Sequence, residues 1–132
     1  MDTQKRILTI DDEEGVRNAF LLALEDSGHT VDTAATGEEG LEKVAANPPD
    51  LVFLDLRMPG IGGVETLYRL QKDWPQVPIY IVTAFHEQYF KELEQAVTDG
   101  LSFELIRKPA GMDVIRDVVN GTLGTKAAEE TQ

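Results

Sequence analysis

Short apolar runs alternate with longer amphipathic stretches along most of the chain. Ile7 to Ile10, Leu51 to Leu54 and Ile79 to Val82 are brief and rich in branched residues. Such runs predict strands buried on both faces, as in a parallel sheet covered by helices. Weaker strands are expected at Thr30 to Ala34, after Ser27-Gly28-His29, and at Phe103 to Arg107, after Asp99-Gly100. The intervening segments repeat their apolar residues at helical spacing. Val16, Phe20 and Leu24, with Ala19 and Ala23, stripe a helix beginning near Glu13. Leu41, Val44 and Ala45 mark a second helix, closed by Asn47-Pro48-Pro49, and Val64, Leu67 and Leu70 a third, ending before Trp74-Pro75. Phe90, Leu93 and Val97 mark a fourth, and Ile115, Val118, Val119 and Leu123 a fifth. Five strand–helix alternations predict an α/β fold, an open doubly wound five-stranded sheet whose long connections allow right-handed crossovers.

Composition narrows the functional classes. The chain has 132 residues, room for one ordinary domain. Its 24 acids against 12 bases give a net charge of -12, which argues against broad binding to nucleic acid or an anionic membrane. With no cysteine, disulfides, thiol catalysis and cysteine-held metals are excluded. No apolar stretch approaches the ~20 residues of a membrane span, and no signal-peptide core opens the chain, so a cytoplasmic location is expected. The apolar period fades from Asn120, where a fraying helix end and tail are expected.

In open α/β sheets, ligands gather beyond the carboxyl ends of the strands. Asp11-Asp12-Glu13-Glu14 follow the first apolar run and Asp55 the Leu51 run. Thr83 follows the Ile79 run, and Arg107-Lys108-Pro109 follow Leu105-Ile106. Three acids, a hydroxyl and a lysine should therefore meet on one rim. Clustered carboxylates call for a cation, and an all-oxygen donor set suits Mg2+, Mn2+ or Ca2+ over zinc or copper. Charges of -3 from Asp11, Asp12 and Asp55 are matched by Mg2+ and Lys108. Thr83 then offers a neutral donor where an aspartyl phosphate on Asp55 would add negative charge.

Asp11-Asp12, Asp55-Leu56-Arg57-Met58-Pro59-Gly60, Thr83-Ala84 and Lys108-Pro109 together resemble the receiver domain of bacterial two-component response regulators, of the chemotaxis-regulator-like kind. The resemblance spans about residues 5–122, leaving 123–132 as a C-terminal tail. It implies the flavodoxin-like strand order 2-1-3-4-5. It also implies that Asp55 accepts a phosphoryl group from a sensor histidine kinase or phosphotransfer protein. Mg2+, with Mn2+ as substitute, would be held by Asp11, Asp12, Asp55 and the Arg57 backbone carbonyl. Thr83 and Lys108 would bind the phosphoryl oxygens, and Lys108-Pro109 would be cis. Phosphorylation would repack the fourth helix, fifth strand and fifth helix, whose face would meet a downstream protein target or a second copy. A signalling switch, not an enzyme, is expected, with self-phosphorylation and slow self-dephosphorylation its only chemistry. Since the receiver fills nearly the whole chain, its output is expected to be a contact made by its own face.

Two departures from the family pattern bear on mechanism. Leu105 stands where receivers commonly carry a switching aromatic, so either Phe103 takes that role or aromatic switching is absent. Arg57 and Phe85 occupy the variable positions that flank the phosphoryl group; an apolar Phe85 and a cationic Arg57 predict a long-lived phosphoryl state.

Blander readings are set beside these. Asp11 or Asp12 alone would be a helix cap, and Glu13 and Glu14 are expected to complement a helix N-terminus. Thr83 alone would be a strand residue and Lys108 a surface lysine. His29 is read as a turn residue, His86 as solvated and without a partner, and Trp74 as packing at a helix end. A haloacid-dehalogenase-type phosphohydrolase needs a second acid two residues past its nucleophile, where Arg57 stands. A flavodoxin-like electron carrier needs a hydroxyl- and glycine-rich loop where this chain has four acids, and Gly60-Ile61-Gly62-Gly63 lacks the lysine of a P-loop. A docking module independent of phosphorylation is the remaining alternative.

Overall fold

Apolar residues at consecutive strand positions face both sides of a sheet and need helices to cover each. The computed structural model describes residues 4–124. Its elements run β1 (Arg6–Ile10), α1 (Glu14–Ala23), β2 (Thr30–Ala34), α2 (Gly37–Ala46), β3 (Leu51–Leu54), α3 (Gly62–Asp73), β4 (Ile79–Thr83), α4 (Phe90–Thr98), β5 (Glu104–Arg107) and α5 (Met112–Leu123). All neighbouring strands are parallel, in the order β2-β1-β3-β4-β5. This is the five-stranded, doubly wound α/β fold expected from the chain.

The core forms two layers. Leu8, Ile10, Val52, Leu54, Ile79 and Ile81 pack with Val44, Leu67, Leu70, Leu93 and Ala96 of α2, α3 and α4. Ile7, Leu51, Phe53 and Val82 pack with Phe20, Ala23, Leu24, Ile115 and Val119 of α1 and α5. The Phe20 and Phe53 rings lie 4.8 Å apart, tilted, the geometry aromatic quadrupoles favour. Residue alternation along each strand thus feeds both layers, which is why the runs read as uninterrupted apolar segments.

Helix ends follow local chemistry. The Thr36 hydroxyl caps α2 by accepting from the Glu39 N–H, while Glu39 accepts from the Ala35 N–H nearby. On the far side, α3 holds the α4–β5 loop. The Tyr68 hydroxyl donates to Asp99 Oδ2 at 2.6 Å, and the Ser102 N–H donates to Gln71 Oε1 at 2.9 Å while the Gln71 amide donates back to the Ser102 carbonyl.

Several expectations need correction. α4 does not bury the stripe Phe90–Leu93–Val97; it turns Leu93 and Ala96 inward and leaves Phe90 and Val97 exposed. Small Ala96 permits close approach to the core there, at a cost lower than seating Phe90. β5 begins at Glu104, leaving Phe103 in the preceding loop, half-buried against the first core layer, while Leu105 is exposed. By contrast, α5 ends at Leu123, the last residue of its expected stripe. Of the expected tail, residues 125–132 lie outside the described residues. No helix among the described residues is long and apolar enough to cross a membrane.

Candidate functional site

The ladder brings the site together. Ile10 of β1 pairs with Leu54 of β3, so Asp11 and Asp55 are the next residues on adjacent parallel strands. Backbone bonds carry the ladder one step further: the Asp55 N–H donates to the Ile10 carbonyl at 2.9 Å and the Asp11 N–H to the Ala34 carbonyl at 3.0 Å. Thr83 pairs with Arg107, and the Lys108 N–H donates to the Thr83 carbonyl at 3.0 Å. The Lys108-Pro109 peptide is cis.

Asp11, Asp55 and Thr83 are buried, whereas Asp12 is exposed. One carboxylate oxygen from each of Asp11, Asp12 and Asp55 lies within 4.8 Å of the others. Lys108 Nζ is 2.8 Å from Asp11 Oδ2, 3.2 Å from Glu13 Oε1 and 3.5 Å from Asp55 Oδ2. Asp55 Oδ1 also accepts from the Leu56 N–H, and Asp11 Oδ1 from the Glu13 N–H, each at 2.9 Å. Arg17 steadies the strand end by donating to the Asp11 carbonyl.

The electrostatics record a surplus of acid. Burial, followed by the charge of Asp11, pushes Asp55 from 3.8 up to about 6, against the pull of Lys108 and the Leu56 N–H. Burial likewise raises Asp11 despite its bond to Lys108. For Lys108, burial opposes the charge, but the bond to Asp11 and the charges of Asp11 and Asp55 outweigh it and raise its pKa. One ammonium shared among three carboxylates leaves them under-neutralised. Three hard oxygen donors with uncompensated charge fit a small divalent cation of the Mg2+ class.

Around this centre, Thr83 Oγ1 accepts from the Phe85 N–H at 3.1 Å, and the Arg57 guanidinium carbon sits 4.5 Å from the centre of the Phe85 ring. That is cation–π distance, so the two residues expected to flank the site form a pair. Asp11, Asp12, Asp55, Thr83 and Lys108 thus lie at the carboxyl ends of β1, β3, β4 and β5.

Other residues differ from expectation. The Glu13 side chain makes no capping bond to α1, although Glu13 is its N-cap residue; its carboxylate goes to Lys108. His86 has a partner, since its Nε2 lies 3.1 Å from Arg107 Nη2. His29 does more than turn the chain: its Nδ1 accepts from the Lys5 N–H. Glu13 and Arg17 are the polar partners the sequence did not disclose. The acidic run was the signal for Glu13, but helix polarity explained it equally well.

Comparison with known proteins places this geometry. The model of the response regulator receiver domain matches residues 7–120. The alkaline phosphatase synthesis transcriptional regulatory protein PhoP of Bacillus subtilis is 39% identical over 89 residues, covering 67% of this chain and 37% of that protein. The chain thus matches little more than a third of that relative's length. A CheY-like response regulator receiver domain protein from Methanospirillum hungatei superposes with a TM-score of 0.82 at 26% identity, covering 98% of this chain and 99% of the other. Response regulator protein TrrA from Thermotoga maritima, solved in complex with Mg(2+)-BeF, has a TM-score of 0.76 at 34% identity, covering 90% and 99%.

Proposed function

The chain belongs to the response regulator receiver domain family, and from that premise we propose that it is a phosphoacceptor switch whose acceptor is Asp55. Receiver domains of response regulators are signalling switches, and this one is taken as residues 5–122, followed by a tail. The donor is the phosphohistidine of a sensor histidine kinase or phosphotransfer protein. The observation that carries the proposal is the buried Asp55 carboxylate, meeting Asp11, Asp12 and Lys108 at the end of adjacent strands.

In the transfer, an Asp55 carboxylate oxygen forms a bond to phosphorus as the P–N bond of the phosphohistidine breaks. The departing imidazole takes up one proton. Asp11, Asp12, Asp55 and the Arg57 backbone carbonyl would hold Mg2+ or its substitute Mn2+. A bound Mg2+ would supply positive charge against the attacking carboxylate and the phosphoryl oxygens. Lys108 contributes the remaining cation, and Thr83 can donate its hydroxyl proton to a phosphoryl oxygen. The Thr83 oxygen already accepts from the Phe85 N–H, so its reorientation is communicated directly to the β4–α4 loop. Repacking of α4, β5 and α5 then biases the surface that meets a downstream target or a second copy. Turnover is confined to self-phosphorylation and slow self-hydrolysis, and the setting is cytoplasmic.

Intact-mass measurement after treatment with acetyl phosphate and Mg2+ tests this. The protein should gain about 80 Da as an acyl phosphate, and Asp55→Ala should not. No Asp55-dependent gain would overturn the proposal in favour of docking independent of phosphorylation.

A further inference from the structure

Glu13 stands at the N-cap of α1, the position from which a side chain can satisfy the free N–H groups of the first turn. It does not do so. Its backbone N–H instead holds Asp11 Oδ1 at 2.9 Å, and its carboxylate reaches Lys108 Nζ at 3.2 Å, across 95 residues of sequence. The Glu13 side chain is 63% exposed, whereas Lys108 is 12% and both Asp11 and Asp55 are 3% exposed. The ammonium therefore has two buried acidic partners and one partner outside them.

That division gives the contacts different fates. A divalent cation held by Asp11, Asp12 and Asp55 would compete with Lys108 for the Asp11 and Asp55 carboxylates and repel its charge. Glu13 is the acidic partner left to it. A phosphoryl group on Asp55 then competes with Glu13 for the same ammonium, and its negative charge is also repelled by Glu13.

We propose that Glu13 is a positioning residue: its ion pair holds Lys108 at the rim, which frees Asp11 and Asp55 for the cation and opposes transfer of Lys108 to the phosphoryl group. The proposal rests on the receiver reading given above. Glu13 thereby sets how far the resting state is favoured over the phosphorylated one. Its neighbour Glu14, in the first turn of α1, has the same charge but makes no ion pair with Lys108, and so serves as the control.

Calorimetric titration with Mg2+ alone, and then with beryllofluoride at saturating Mg2+, separates the two effects. Glu13→Gln should bind Mg2+ about twofold more weakly and beryllofluoride about threefold more tightly than the wild type, the scale of one exposed ion pair. Glu14→Gln should shift each by a smaller factor. In a Lys108→Gln background the Mg2+ difference between Glu13→Gln and Glu14→Gln should vanish, as expected when the effect passes through Lys108. Equal shifts in Glu13→Gln and Glu14→Gln, or a difference that survives loss of Lys108, would overturn the role of Glu13 alone. A wild type that binds neither Mg2+ nor beryllofluoride would instead overturn the receiver reading.

Discussion

Arg57 and Phe85 come from the loops after β3 and β4 yet lie within cation–π distance of each other. If Asp55 carries a phosphoryl group, the Phe85 ring would leave an attacking water little room, and the Arg57 guanidinium would offer the phosphoryl oxygens a cation. Removing either half of the pair should therefore shorten the phosphoryl lifetime. Phe85→Ala and Arg57→Ala should each accelerate loss of phosphate about three- to tenfold, measured as decay of the phosphorylated mass. Unchanged decay in both variants would remove this role. The two positions were legible, because each residue follows a recognisable chemical position at short spacing, but their contact with each other was not. The Glu13–Lys108 pair was not, because its members are 95 residues apart and neither neighbourhood indicates the other. His86 failed in the same way: Arg107 reaches it across a strand boundary that local sequence does not encode.

At the scale of elements, the approach of α3 to the end of β3 gives Asp55 its setting. A Cβ on Gly63 would come within 2.2 Å of the Asp55 carbonyl oxygen and 2.4 Å of Leu56 Cα, both backbone atoms. A Cβ on Gly40 in α2 would meet Ile10 Cδ1 at 2.4 Å, the far end of a flexible side chain. Gly63→Ala should thus cost about 3 kcal/mol by forcing the helix off the strand, and Gly40→Ala about 1 kcal/mol, offset by better helix propensity. Chemical denaturation compares the two, and equal losses would mean that backbone and side-chain contacts yield alike. The central strands were legible because burial on both faces leaves their runs almost wholly apolar, buried Thr9 being the polar exception. α4 was misread because Phe90 and Val97 lie on one side of Leu93 and Ala96 on the other, and helical spacing alone accepts either. β5 was set a residue early because Phe103 is apolar like the strand but packs as a loop residue.

For the whole molecule, the net charge of -12 is spread over the chain, and at the site rim Asp11, Glu13 and Asp55 outnumber the one ammonium that faces them. Asp55 titrates at about 6 in the folded protein against an ordinary 3.8, so the native state binds its proton more tightly than the unfolded chain does. The resulting cost is absent below pH 4, grows between about 4 and 6, and is complete above that range. In EDTA, the stability of the wild type should fall as pH rises through this window. Asp55→Asn, which lacks the charge, should melt several degrees higher than the wild type at pH 7.5 and at nearly the same temperature at pH 4. Added Mg2+ should raise the wild-type melting temperature at pH 7.5 more than that of the variant. Parallel curves for the two proteins across pH 4 to 7.5 would show that Asp55 does not carry the cost.

The clasp between α3 and the α4–β5 loop constrains how the molecule can respond. Tyr68 and Gln71 grip Asp99 and Ser102, so the C-terminal end of α4 and the approach to β5 are tied to a helix buried in the first core layer. The N-terminal end of α4 emerges from the β4–α4 loop, where Phe85 contacts Thr83 and Arg57. If phosphorylation of Asp55 reorients Thr83, α4 should therefore pivot about Asp99, with the largest shift at exposed Phe90 and the smallest at the helix C-terminus.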